Sequence, residues 1–157
     1  MTLLRPEDPF PELTLATTRG ELTLPHALAG GFGVVLFNRG AWCPYCTAQL
    51  RSFQRATTRL TEAGAKVIAL WVEDEATTEG FAQDNGIEFP IGYGVDATAV
   101  AAVTGAFVNP EPTYLQSTGF VLNADGKVLV SVYSSGTIGR LVPNEVIGMI
   151  QWLTAAR

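Results

Sequence analysis

Cysteine and histidine are scarce in this 157-residue chain: two cysteines and one histidine. A structural zinc site needs four ligands, so one C-x-x-C and one histidine leave only a dimer-shared or carboxylate-completed site, and no resident metal or cofactor is expected. Charge is also sparse. Only 16% of residues are charged, and ten Lys+Arg against fifteen Asp+Glu give a formal net charge of −5. That balance argues against nucleic acid or an anionic membrane surface as a partner. No run approaches the roughly 18 to 20 apolar residues of a membrane span. The first ten residues hold Arg5, Glu7, Asp8 and two prolines and no apolar h-region, so the expected location is the cytoplasm.

What is present is apolar. With 47% hydrophobic residues the chain is no candidate for disorder. Its length suits one domain over residues 1–157 that buries about 70% of its unfolded surface without disulfide staples.

Both cysteines fall in Trp42-Cys43-Pro44-Tyr45-Cys46, where a strand-like run, Gly33 to Phe37, gives way to a helical pattern. Residues three apart on a helix are neighbours, and such a pair can reach the short Cα separation of a disulfide. The first turn of a helix has unpaired N–H groups and the positive end of the macrodipole, which favour thiolate over thiol. Pro44 suits a first-turn position. In a cytoplasmic chain this pair reads as redox-active. Cys46, Leu50, Phe53, Thr57 and Leu60 follow at helical steps as an inward stripe. Cys43 precedes the stripe at the helix tip, which makes it the expected exposed, attacking sulfur and Cys46 the shielded, resolving one.

Around the motif, strands are expected at Glu12 to Thr17 and Glu21 to Leu24, a hairpin, and at Gly33 to Phe37 and Lys66 to Val72, buried on both faces. One helix is expected from Pro44 to Ala63, ending at Gly64. Its outer face carries Arg51, Arg55 and Arg59, a solvated face or a docking stripe for an acidic partner. Glu73-Asp74-Glu75 leads into a helix ending at Gly86, its acids explained by the helix dipole. Phe89 to Gly92 reads as a short extended piece, and Asp96 caps a helix to Val103. Gly105 to Ser117 reads as a loop. Asn123-Ala124-Asp125-Gly126 joins two further strands, and Pro143 opens a last helix with Val146, Ile150 and Leu153 inward. His26, alone in a loop, reads as a surface residue.

This order, with C-x-x-C at the tip of the first helix, resembles a thioredoxin-like α/β fold: a mixed central sheet flanked by helices. The N-terminal hairpin and the inserted helix near Asp96 resemble the additions of peroxiredoxins. From about Pro11 to Leu153 the chain resembles the peroxiredoxin-like branch of the alkyl hydroperoxide reductase and thiol-specific antioxidant family. The segment from Arg39 to Cys46 with Gln49-Leu50, and the hairpin Phe120 to Val128, carry that resemblance.

The family motif P-x-x-x-T-x-x-C ends in the cysteine that attacks peroxide. Laid here with Cys46 as its end, it puts Arg39 in the proline place and Cys43 in the threonine place. The family's later arginine falls at Gln116-Ser117-Thr118, and Thr118 stands nearest the place of the thioredoxin cis-proline. The resemblance therefore implies an antioxidant or redox role in which thiol–disulfide exchange ranks ahead of peroxidase chemistry. The expected site is Cys43 and Cys46 with Arg39, Trp42, Pro44, Tyr45 and Thr118 in support. The expected partners are a protein or small-molecule disulfide, or a peroxide, together with an external thiol reductant. A redox-sensing interaction module is the non-enzymatic alternative, and a homodimer stays open.

Overall fold

A computed structural model describes residues 2–155. Its core is a seven-stranded mixed sheet in the order β2-β1-β5-β4-β3-β8-β9. The central strands β3 (Phe32–Phe37) and β4 (Ala65–Leu70) are parallel, and β4 is also parallel to β5 (Ile91–Tyr93). The hairpin of β1 (Leu13–Thr17) and β2 (Gly20–Leu24) adds antiparallel to β5. On the other side β8 (Thr118–Leu122) pairs antiparallel with β3, and β9 (Val128–Tyr133) closes that edge.

Alternation along the strands divides the interior in two. Val34, Leu36, Val67, Ala69 and Trp71 face one core. They pack there with Leu50, Phe53 and Leu60 from the first helices and with Val146, Ile147 and Ile150 from the last helix, α5 (Pro143–Ala155). Val35, Phe37, Ile68 and Leu70 face the other core, with Leu15, Leu24, Phe120, Leu122 and Val100 of α4 (Ala97–Thr104). This is the thioredoxin-like architecture expected from the order of elements, with its N-terminal hairpin and helical insertion.

Three details differ. The first helix is not continuous: α1 (Pro44–Arg55) stops at Ala56, and α2 (Thr57–Glu62) resumes after it. Ala56 has left helical torsions (φ −92°, ψ 6°). The Thr57 hydroxyl explains why, since it donates to the Gln54 carbonyl (2.7 Å) and so competes with the main-chain ladder. Ala56 therefore takes the buried place in the stripe and Thr57 turns to solvent, while Cys46, Leu50, Phe53 and Leu60 are buried as expected.

The segment expected to be a loop before β8 holds a short hairpin, β6 (Val108–Pro110) with β7 (Thr113–Leu115). Two three-residue strands, the first ending in Pro110 and separated from the second by Glu111 and Pro112, leave no alternating pattern to read. Finally, the acidic triplet is divided among three tasks. Asp74 caps α3 (Glu75–Asn85), Glu75 accepts from the Tyr93 hydroxyl, and Glu73 accepts the Ala41 N–H at 2.8 Å. No helix among the described residues is long and apolar enough to cross a membrane.

Candidate active site

β3 ends at Phe37, and the turn through Asn38 to Trp42 delivers the chain to α1 at the edge of the sheet. Glu73, at the end of the neighbouring parallel strand, ties that turn down through the Ala41 N–H. Cys43 is the N-cap of α1. Its sulfur accepts the Cys46 N–H at 3.4 Å, and Pro44 follows in the first turn. Both thiols are free. The pair sits at the tip of α1 as expected, close but not at disulfide distance, and the expected exposure of Cys43 fails: it is 1% exposed and Cys46 is 0% exposed. Around the sulfurs stand Arg39, expected from sequence, and two residues that the sequence pattern did not single out, Thr137 and Arg140.

Two arginines from distant parts of the chain reach the sulfurs. Arg39 belongs to the turn itself. Its main-chain N–H donates to Cys46 Sγ at 3.2 Å, and its Nη1 lies 3.7 Å from Cys43 Sγ. The guanidinium is fixed by Gln116 Oε1 (3.0 Å) and the Tyr114 hydroxyl (3.0 Å). It also sits 5.1 Å and 5.2 Å from the ring centroids of Trp42 and Tyr114, a cation–π distance for both.

Arg140 comes from the connection after β9, with Nη2 at 3.1 Å from Cys46 Sγ and 3.9 Å from Cys43 Sγ. Its Nη1 donates to Gln49 Oε1 (2.8 Å) and its Nε to the Thr137 carbonyl (2.7 Å). Thr137 Oγ1 lies 3.3 Å from Cys43 Sγ. Gln49 is buried and couples the layers: its amide donates to the Leu141 carbonyl, and its oxygen also takes the Asn38 amide. Leu141 can descend onto β8 because position 119 is glycine. A Cβ there would meet Leu141 Cδ1 at 2.7 Å.

Of the supporting residues expected from sequence, Arg39 reaches both sulfurs, Trp42 lies against the Arg39 guanidinium, and Pro44 follows Cys43 in the first turn of α1. Tyr45 is 51% exposed beside them. Thr118 is buried at the start of β8, but its hydroxyl donates to the Gln116 carbonyl, and among the described residues no hydrogen bond joins it to either sulfur. Gln49, Tyr114, Gln116, Thr137 and Arg140 were missed. Gln49 alone carried a signal, an amide on the buried stripe, one turn from Cys46.

Burial opposes the thiolate of Cys43. The hydrogen bonds from Thr137, the Cys46 N–H, the Cys46 thiol and Arg39 outweigh it, and bring the thiol down to about 7. The sign follows directly: Cys43 is largely thiol below that pH and thiolate above it. Alkylation of Cys43 by iodoacetamide, followed by peptide mass, is expected to accelerate as pH rises through about 7 and then level off. In Thr137→Val the same rise should move to higher pH, and an unmoved midpoint would remove Thr137 from the site.

A family model described as AhpC/TSA family matches residues 6–131, which contain both cysteines and most of the sheet. The chain belongs to the AhpC/TSA family. Among curated AhpC/TSA-like relatives, a peroxiredoxin of Methanothermobacter marburgensis is 27% identical over 157 residues, covering 92% of this chain and 70% of its own. A peroxiredoxin of Treponema denticola is 27% identical over 139 residues, covering 85% of this chain and 66% of its own. Solved structures show the same fold. The peroxidoxin BcpB of Mycobacterium tuberculosis superposes with a TM-score of 0.82 at 19% identity, covering 96% of this chain and 98% of that one. Peroxiredoxin 6 of Arenicola marina gives 0.81 at 22% identity, covering 96% of this chain and 74% of that one.

Proposed function

We propose that the protein is a thiol-dependent peroxidase in which Cys43 and Cys46 close an internal disulfide at each turnover. The supporting observation is the enclosure of both sulfurs, at 1% and 0% exposure. A protein disulfide must bring its own sulfur in line with the attacking one, which needs an open approach. A peroxide needs only a narrow one. The curated relatives named peroxiredoxin support the same direction.

In this reading Cys46 attacks, the reverse of the order expected from sequence. With Cys43 as buried as Cys46, exposure no longer favours it. The closest donors, Arg140 Nη2 and the Arg39 N–H, are on Cys46, which also holds the place of the family's attacking cysteine. With the proton shared by the two sulfurs moved from Cys46 to Cys43, the Cys46 thiolate forms an S–O bond as the O–O bond breaks. The departing oxygen keeps the electron pair and takes a proton, leaving as water or an alcohol. Sulfur is oxidised by two electrons to a sulfenic acid. The Cys43 thiolate, available near neutral pH, then attacks that sulfur. An S–S bond forms, the S–O bond breaks, and hydroxide leaves to be protonated to water. An external thiol reductant supplies two electrons to reopen the disulfide.

The second reading is disulfide exchange begun by Cys43, favoured by its N-cap position and lowered pKa. Stopped-flow mixing of the reduced protein with hydrogen peroxide separates the two. The expected result is oxidation at least about a hundredfold faster than free cysteine, in line with the effect of one oriented donor, with two thiols lost per peroxide. A rate no better than free cysteine would leave disulfide exchange standing.

A further inference from the structure

Both arginines that converge on the sulfurs are anchored by neutral oxygens. Arg39 donates to the Gln116 amide oxygen and the Tyr114 hydroxyl, and Arg140 to the Gln49 amide oxygen and the Thr137 carbonyl. Among the described residues neither guanidinium hydrogen-bonds to a carboxylate. Glu73, three residues beyond the end of β4, accepts the Ala41 N–H and makes no hydrogen bond to either guanidinium among the described residues. Buried or half-buried cations are ordinarily matched by an anion, because an unmatched charge loses hydration without return. Only the two sulfurs face these guanidiniums, so with one of them as thiolate one guanidinium has no anion within hydrogen-bond reach among the described residues.

Position singles out Arg39 as that guanidinium. Arg140 is committed to Cys46 at 3.1 Å, whereas the nearest approach of the Arg39 side chain to a sulfur is 3.7 Å. A guanidinium has five N–H groups. The bonds to Gln116, Tyr114 and Cys43 use three, leaving two without a partner among the described residues. The group lies over the rings of both Trp42 and Tyr114, and Trp42 is 55% exposed, so this side of the site meets solvent. A planar, oriented fork beside the reacting sulfurs suits a carboxylate, which it can take through two parallel bonds.

We propose that the preferred oxidant is an organic hydroperoxide bearing a carboxylate, with Arg39 binding the carboxylate while its O–O group lies at the sulfurs. This rests on the peroxidase reading. The Trp42 and Tyr114 rings, which meet edge to face at 5.0 Å, supply an apolar wall for the carbon chain between the two groups.

The test uses the reduced full-length protein and a short-chain hydroperoxy carboxylic acid, compared with its own methyl ester and with hydrogen peroxide. The acid is expected to oxidise the protein about tenfold faster than the ester, as one charge-assisted hydrogen-bonded contact implies. The gap should shrink at high salt. Arg39→Gln should bring the acid-to-ester ratio close to one, and Arg39→Lys should restore part of it. An acid and ester that react equally fast, both well above free cysteine, would overturn the inference and leave the peroxidase reading intact. A ratio unchanged in Arg39→Gln would overturn it as well. If no hydroperoxide outpaces its reaction with free cysteine, the peroxidase reading falls and takes this inference with it.

Discussion

Cys46→Ser is expected to abolish peroxide consumption, whereas Cys43→Ser should consume one equivalent and stop. The difference follows from which sulfur the oriented donors serve. Arg140 Nη2 and the Arg39 N–H both lie within 3.2 Å of Cys46 Sγ, so they can hold its thiolate in place for attack. With serine at 43, the nucleophile remains and the resolving sulfur is gone. Cys46 should then persist as a sulfenic acid, trapped by a carbon-acid nucleophile and located by peptide mass. The variant is also a fair structural control. Serine is a preferred N-cap residue, so it can accept the Cys46 N–H as the Cys43 sulfur does and keep the start of α1 intact. A sulfenic acid found on Cys43 in the Cys46→Ser protein would invert the assignment.

Arg140→Met should lower the peroxide oxidation rate by about a hundred- to a thousandfold, the range for removing one oriented donor from a reacting centre. Arg140 makes three directed contacts at once, to Cys46, Gln49 and the Thr137 carbonyl. Lysine has a single flexible point charge and cannot reproduce that fork, so Arg140→Lys should recover only a small part of the loss. Methionine matches the aliphatic stem and limits packing damage. Thermal melting read alongside the rate separates misfolding from lost chemistry. A loss under threefold would exclude Arg140 from the reaction.

The two pairs of results bear on how the site was written in the chain. Local signals were sufficient for the cysteine turn. An apolar run, a first-turn proline and an inward stripe put Cys43 and Cys46 at the tip of α1, and the fold followed from the alternation of strands and helices. Nothing local marked Arg140, Thr137, Tyr114 or Gln116, because Tyr114 lies in a three-residue strand and the others in connections whose direction depends on distant packing. Arg140 is brought in by the seat of Leu141 on Gly119 and by Gln49, contacts that only the assembled sheet creates. The exposure of Cys43 was misjudged for the same reason, since helical periodicity describes what a helix buries against the sheet but not what later segments lay over its end. The break at Ala56 was equally hidden. A threonine in a helix is common, and its hydroxyl bond back to Gln54 shows only in three dimensions.

The distance along the chain between Cys46 and its principal cover has a consequence for synthesis. Arg140 lies 94 residues after Cys46. At ribosomal speeds of roughly 5 to 20 residues per second, both thiols leave the exit tunnel about 5 to 19 seconds before Arg140 does. A newborn chain thus presents bare cysteines to the surrounding oxidants and thiols, and the enzyme's most vulnerable interval precedes its completion.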